Sequence, residues 1–308
     1  MKQSCEVLLQ YFPSISKVED FYSTYIANCV FNSFLSYSAI MLNIVTIHAL
    51  RKTSSLPKTL KTLLLSLAVS DLGVGLLVQP FYTSLLVKLL QSDASCESFM
   101  VFHIIQCLFS RASFCNVVTI SVDRFLAIHL HLRYQELVTH KRVVAVVILI
   151  WSLSGFLSSI LLWHPSEDSC IILCICGVFG LLLTTVAYRR IYLAIRHHRS
   201  QIRLLQVQQV AENEEISNFA SRIKCAVGMF YVNLVFMFCF LPHLICIVTL
   251  KIYGPSTALK RFYLFSMTLV FLNSSLNPVI FCWKMKQIRS TIMDILRNMS
   301  CYRDGASQ

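Results

Sequence analysis

The sequence predicts an all-α membrane protein: a bundle of seven transmembrane helices followed by a short amphipathic helix on the cytoplasmic side. Its 308 residues are 56% hydrophobic and only 14% charged, and their mean hydropathy is +0.65. A soluble domain of this length could not cover so much apolar surface with so few charges. The charged residues are also separated by long apolar runs, each of which reaches the roughly 20 residues that a helix needs to cross the hydrocarbon core.

Seven such runs follow one another along the chain. Five of them contain no charged residue, and the other two are interrupted only by Asp71 and by Arg111. Because a helix satisfies its own backbone hydrogen bonds, it is the structure expected of a single segment in lipid. The predicted spans are, in order, 21–50, 62–87, 98–122, 143–166, 169–188, 225–250 and 262–283.

The basic residues predict how the bundle is oriented. With the N-terminus outside, 20 of the 27 lysines and arginines fall in the inner segments and six fall in the outer ones. The positive-inside rule therefore predicts a multi-pass membrane protein with a cytoplasmic C-terminus, and the plasma membrane is its expected location. Residues 1–20 form the extracellular N-terminus, 21–283 the membrane domain, and 284–308 the cytoplasmic helix and tail. This topology explains the net charge of +12 without a nucleic-acid partner.

Short motifs lie in five of the spans and carry a resemblance to a known family. The two prolines among them remove backbone hydrogen bonds and are expected to kink their helices. The motifs are "LAVSD" in the second span, "SVDRF" in the third, Trp151 in the fourth, "FCFLP" ending at Pro242 in the sixth, and "NSSLNPVIF" around Pro278 in the seventh. In order and topology, they resemble those of the rhodopsin-like (class A) G-protein-coupled receptors, over about residues 43–301.

The resemblance implies a receptor, and no enzyme, that binds an extracellular ligand and activates heterotrimeric G proteins through a rearrangement of the bundle. The ligand class stays open between a small molecule, a lipid and a peptide. A seven-helix transporter or channel is the alternative, although transporters typically show half-repeats and several intramembrane charges. Bound retinal is disfavoured because Phe271 stands where a light sensor carries its Schiff-base lysine.

The resemblance also implies a functional role for Asp71. A charged side chain near the bilayer centre costs at least ~2.5 kcal/mol, so it needs partners. In this family the equivalent aspartate joins polar groups of the third and seventh spans around an allosteric sodium ion. Helix-to-helix hydrogen bonding without an ion is the second interpretation, and both can hold. The matching positions are Ser113, Asn273, Ser274 and Asn277, with Asn43 alongside.

The cytoplasmic end of the third span resembles the switch through which these receptors couple to G proteins. The resemblance implies that Arg124 turns from its neighbour Asp123 toward the incoming partner, together with Phe125, Tyr188 and Phe281. The other interpretation is a juxtamembrane arginine that extends to lipid phosphates. The pattern departs from the family where Phe281 replaces a tyrosine, where Phe240 replaces a tryptophan, and where Arg222 replaces an acid that often restrains the arginine.

Arg111 is the second charge within a span. It lies 13 residues before Arg124, which is about 20 Å along a helix, in the outer half of a ~30 Å core. The same spacing turns it toward the fourth and fifth spans. Two interpretations stay open: a counter-ion for an acidic ligand, or a structural arginine bonded to hydroxyls of a neighbouring span. The predicted ligand pocket comprises Gln106, Ser110, Arg111, Phe240, His243 and Phe271.

Two cysteine predictions concern the rims of the bundle. Cys96 and Cys170 fall on the outer, oxidising side, where they form a disulfide or remain two thiols. Cys301 on the inner side is a candidate for palmitoylation, although a single cytoplasmic cysteine is more often unmodified.

The segment after the seventh span alternates basic and apolar residues at helical spacing and is predicted to lie on the membrane surface. Its lipid-facing set is Trp283, Ile288, Ile292, Ile295 and Leu296, and its phosphate-facing set is Lys284, Lys286 and Arg289.

Overall fold

The computed structural model describes residues 11–12, 18–54, 56–130, 133–163 and 213–305, together with scattered helical positions between 179 and 193. Within these ranges the chain is helical and contains no strand, as predicted. Six helices of the described part are long and apolar enough to cross a membrane. The predicted fifth span, 169–188, lies largely outside the described residues.

The helices keep the order of the predicted spans, and each is named here by its span. The first span is Val18–Lys52, the third Cys96–His129, the fourth His140–Trp163, the sixth Asn213–Tyr253 and the seventh Thr257–Lys284. The second is built from Lys58–Gly73, Val74–Val78 and Gln79–Leu90. A short helix, Tyr134–Leu137, follows the third span, and Lys286–Gly305 follows the seventh.

Serine side chains begin two of the long helices. The hydroxyl of Ser95 accepts a hydrogen bond from the backbone N–H of Ser98, and that of Ser256 accepts one from Leu259. Such caps satisfy backbone donors that have no partner inside the helix. Gly254 lies between the sixth and seventh spans with a φ of 78°, a conformation that favours glycine. The two serine caps and the glycine thus determine where these helices begin and end on the outer side.

The second span contains a π-helical turn, Val74–Val78, where the sequence predicts a regular helix. Pro80 lies two residues after this turn and has no N–H to donate, so a regular helix would lose a hydrogen bond here. The Ser36 hydroxyl on the first span donates to the Gly75 carbonyl at 2.8 Å. The wider turn and this bond from a neighbouring helix accommodate the proline.

Two apolar clusters form the core. The inner one includes Leu63, Val232 and Phe281, and the outer one includes Tyr82 and Phe271. Along the second span, Leu67 belongs to the inner cluster and Val74 to the outer, so Asp71 lies between them. The fold thus places one polar layer between two apolar ones. "Inner" and "outer" refer to the predicted cytoplasmic and extracellular ends.

The predicted orientation of the amphipathic helix is wrong at Ile288. This side chain is fully buried in the inner cluster, and Ile292 and Ile295 pack against the same cluster, partly buried. The helix starts directly below the seventh span, so its apolar face covers the inner end of the bundle before it reaches lipid. A bond of 2.9 Å between the hydroxyls of Thr53 and Thr291 ties it to the end of the first span.

The remaining residues of the predicted lipid-facing and phosphate-facing sets have different surroundings. Trp283 is 60% exposed on the outside of the bundle, as its lipid-facing prediction requires. Lys284 instead places its ammonium 3.4 Å from the ring centroid of Trp283 and 3.9 Å from that of Tyr231. Lys286 and Arg289 are exposed, and the side chains of Leu296 and Cys301 lie outside the described residues.

Candidate functional site

The carboxyl group of Asp71 joins three helices in the middle of the bundle. It is fully buried; Oδ1 accepts a hydrogen bond from the Ser113 hydroxyl at 3.2 Å and Oδ2 accepts one from Asn277 Nδ2 at 2.8 Å. Ser274 also interacts with this carboxyl group. The Ser70 hydroxyl lies 2.9 Å from that of Ser113 and extends the network by a residue that the sequence analysis missed. The second, third and seventh spans therefore meet at one acid.

Several buried amide oxygens around this acid have no hydrogen-bond partner in the described part of the chain. Asn273 has neither its oxygen nor its nitrogen bonded, and the Oδ1 atoms of Asn277 and Asn43 are also unpaired. Asn43 donates to the carbonyls of Ala39 and Ser274, so it ties the first span to the seventh. Unpaired oxygens beside a carboxyl group are the donor set that a hard cation prefers, and buried water also satisfies such groups.

A second polar group closes the inner end of the third span. Asp123 and Arg124 form an ion pair, and the Tyr134 hydroxyl donates to Asp123 Oδ1 at 2.6 Å. Thr59 at the start of the second span lies 3.3 Å from the same hydroxyl. Asp123 and Arg124 are each only 4% exposed, so this arrangement holds the arginine inside the bundle. Sequence reasoning missed Tyr134 because its position depends on how the segment after the third span folds back.

Burial, reinforced by the neighbouring Asp123, raises the pKa of Tyr134 to about 12. The hydroxyl therefore keeps its proton at physiological pH and remains a donor to Asp123. Beside this group a cavity of about 370 Å³ opens on the inner face, lined by Lys58, Arg124, Tyr134 and His140 among others. Phe281 is fully buried in the inner cluster and Phe125 packs against it, while Tyr188 lies outside the described residues.

A third polar group lies in the outer half. Arg111 donates from Nη1 to the Ser158 hydroxyl at 3.2 Å, which places it against the fourth span. His243 Nδ1 lies 2.9 Å from the Ser266 hydroxyl. His103, which the sequence analysis did not single out, interacts electrostatically with both Arg111 and His243. The third span thus contributes Arg111 and His103 to this group, and the sixth span contributes His243.

The other residues of the predicted ligand pocket are aromatic or polar. Phe240 stacks on Phe236 with ring centroids 4.0 Å apart, and Phe271 packs edge-on against Tyr82 at 5.4 Å. Gln106 is buried, and the Cys107 thiol donates to its Oε1 at 3.8 Å. Ser110 is half-buried.

The remaining candidates are a cysteine pair and two prolines. Cys96 is disulfide-bonded, while Cys170 lies outside the described residues, so their pairing stays a prediction. Pro242 and Pro278 lie inside the sixth and seventh helices.

The geometry combines a membrane-spanning helical bundle with a polar centre and polar groups at both ends. The sequence profile described as 7 transmembrane receptor (rhodopsin family) matches residues 42–281. The chain belongs to this family. The resemblance inferred from the motifs is therefore confirmed.

Individual comparisons agree with this assignment. Human melanocortin receptor 3 is 27% identical over 278 residues, which cover 85% of this chain and 84% of that receptor. Chicken adenosine receptor A2b is 24% identical over 321 residues, covering 92% and 91% respectively. The crystal structure of squid rhodopsin superposes with a TM-score of 0.77 over 90% of this chain and 86% of that one, at 15% identity. The fold is therefore the seven-helix bundle.

The function follows from the family. This rhodopsin-like receptor binds an extracellular ligand and signals through heterotrimeric G proteins. The transporter or channel alternative is not favoured, and the family consists of receptors rather than enzymes.

The Tyr134 contact predicts a change in the receptor's basal activity. Tyr134→Phe removes the hydroxyl that donates to Asp123, so Arg124 leaves the ion pair more easily. A hydrogen bond to a charged group contributes about 1.5–3 kcal/mol, so agonist-free G-protein activation should rise about tenfold or more. The measurement is nucleotide exchange by G protein added to purified receptor. Tyr37→Phe, at a side chain 65% exposed on the first span, is the control and should change nothing. Equal basal rates in Tyr134→Phe and wild type would contradict this role of Tyr134.

Proposed function

We propose that the protein is a plasma-membrane receptor with its N-terminus outside, and that its ligand carries an acidic group bound by Arg111. The observation that supports this proposal is the incomplete pairing of the Arg111 guanidinium. Its Nε has no hydrogen-bond partner, and no carboxyl group among the described residues forms an ion pair with it. The positive-inside distribution of lysine and arginine supports the orientation.

The charge and the free donors of Arg111 favour an acidic ligand. A guanidinium offers five N–H donors, and Ser158 receives one of them here. A carboxylate or phosphate accepts two parallel bonds from such a group and neutralises its charge. His103 interacts electrostatically with Arg111 and with His243, and a neutral imidazole carries one further N–H donor.

The structural interpretation of Arg111 remains the competing one, and the Ser158 bond favours it. The curated relatives include receptors named for melanocortin and for adenosine, so family membership leaves small-molecule, lipid and peptide ligands open. Gln106 stands where amine receptors of the family carry an aspartate, which argues against a monoamine.

A sodium ion at Asp71 is the second part of the proposal. The carboxyl group, the Ser113 hydroxyl and the unpaired Oδ1 atoms of Asn273 and Asn277 are the oxygen ligands that fit such an ion. These residues come from helices whose relative positions change in a bundle rearrangement. An ion bound among them would stabilise one packing over the other by its differential affinity.

The acidic-ligand proposal is tested by a screen of matched ligands. Cells expressing the wild type are exposed to carboxylates, phosphates, their uncharged amides and esters, and amines, with a panel of G-protein readouts. For the acids that activate the wild type, Arg111→Gln should lower potency at least ~30-fold, the effect of about 2 kcal/mol lost with a desolvated charge pair.

Ser158→Ala is the matched variant for this test. If Arg111 binds ligand, this variant keeps most of the potency. If Arg111 is a structural residue, Ser158→Ala and Arg111→Gln should lower surface expression alike. Full potency of acids on Arg111→Gln, or activation by cations alone, would overturn the proposal.

The sodium site predicts an ion-specific stability. The Tm of purified receptor should rise by ~2–4 °C when NaCl replaces choline chloride at equal ionic strength, on the order of 1 kcal/mol of binding free energy. Asp71→Asn should abolish the increase because the charged ligand is lost. Asp93→Asn, in an exposed outer loop, is the control and should retain it. The same sodium response in wild type and Asp71→Asn would refute the site.

A further inference from the structure

The outer cluster contains two residues that belong to the N-terminal segment rather than to any span. Tyr11 is 9% exposed and Phe12 is 3% exposed. The Tyr11 ring stacks on Tyr263 with centroids 5.6 Å apart. The Phe12 ring meets Phe99 edge-on at 5.0 Å and Tyr263 edge-on at 5.6 Å. Two adjacent aromatic side chains are thus held between the start of the third span and the seventh span.

The backbone of this segment is bound as well. Lys260, in the first turn of the seventh span, donates from Nζ to the carbonyl oxygen of Phe12 at 2.6 Å. A charged donor to a backbone carbonyl makes one of the stronger kinds of hydrogen bond. The segment is therefore recognised through two rings and one carbonyl, the same groups that any peptide with two adjacent aromatic residues presents.

This aromatic contact adjoins the proposed ligand pocket. Tyr263, which touches both Tyr11 and Phe12, lies 5.4 Å from the His243 ring on the sixth span. His243 in turn bonds Ser266 and interacts with His103. A peptide ligand approaching these residues from outside meets the same ring surfaces that Tyr11 and Phe12 already cover.

We propose that Phe99, Lys260 and Tyr263 form a recognition subsite for two adjacent aromatic residues of a peptide, and that the chain's own Tyr11–Phe12 occupies this subsite. An extracellular peptide with an aromatic pair competes with this segment for the same contacts. The inference rests on the proposed outside location of the N-terminus and is independent of the acidic-ligand proposal for Arg111.

The covalent link between the Tyr11–Phe12 segment and the bundle explains why this segment outcompetes free peptides for the subsite. A segment joined to the bundle by a short connection reaches its site at an effective concentration of about millimolar. A free peptide at micromolar concentration therefore binds weakly while the tethered pair is present and binds readily once it is removed.

The test uses a fluorescein-labelled synthetic peptide with the sequence of residues 9–16, LQYFPSIS, and purified full-length receptor. Its control peptide carries alanine at both aromatic positions. Receptor with Tyr11→Ala and Phe12→Ala should bind the aromatic peptide at least tenfold more tightly than the control peptide by fluorescence anisotropy. It should also bind the aromatic peptide at least tenfold more tightly than the wild-type receptor does.

Matched variants locate the binding. Receptor with Tyr22→Ala and Phe31→Ala, which loses two aromatic side chains exposed on the first span, should bind the peptide as weakly as the wild type. The receptor without its two N-terminal aromatic rings (Tyr11→Ala and Phe12→Ala) should lose its gain in peptide affinity when Lys260→Gln and Tyr263→Ala are added. Equal binding of both peptides to the Tyr11→Ala and Phe12→Ala receptor would overturn the proposal. A gain in affinity that survives Lys260→Gln and Tyr263→Ala would also overturn it.

A crosslinking measurement tests the same contact without emptying the subsite. Benzoylphenylalanine is placed at position 12 of the otherwise wild-type receptor, which is then illuminated and digested for mass spectrometry. Crosslinks to the peptides that contain Phe99 or Tyr263 are expected, and crosslinks that map elsewhere in the chain refute the proposal. Both tests leave Arg111 unchanged, so their failure is distinguishable from failure of the acidic-ligand proposal.

Discussion

The buried carboxyl group of Asp71 imposes the constraint on which the packing of the bundle depends. A group of this kind needs hydrogen-bond donors or a cation wherever water is excluded. It obtains them from Ser113 on the third span and from Asn277 on the seventh, and Asn43 bonds the seventh span to the first. Four helices are thereby fixed in register at one level, with an apolar cluster on either side of it.

Each end of the bundle carries a polar group that a ligand or a partner can alter. At the inner end the Tyr134 hydroxyl donates to Asp123 in the ion pair with Arg124, beside a cavity of about 370 Å³. At the outer end His103 interacts electrostatically with both Arg111 and His243. The His243 ring lies 5.4 Å from Tyr263, which contacts Tyr11 and Phe12. Because packed cores are bistable rather than continuously deformable, we expect the polar layer to couple the two ends through alternative helix packings.

The spans could be predicted because they depend on composition and length alone. The partners of Asp71 are implied by the family resemblance, and helical periodicity supports part of that set. Asn273 and Asn277 lie four residues apart, so they share a face of the seventh span whatever the neighbouring helices do. Tyr134, the buried Ile288 and the docked Tyr11 could not be predicted, because each depends on how a connecting segment folds back onto the bundle. The π-helical turn before Pro80 depends on a hydroxyl from another helix, Ser36, which no local pattern reveals.

The central claim is that Asp71 and Asn277 hold the second and seventh spans together, and a double-mutant cycle on thermal stability tests it most directly. Wild type, Asp71→Asn, Asn277→Ala and the double variant are unfolded in choline chloride, so that sodium does not contribute. The account predicts a coupling free energy of ~1 kcal/mol or more, because the two side chains share a buried hydrogen bond. Additive effects, within ~0.5 kcal/mol, are the result expected of independent sites and would contradict the account.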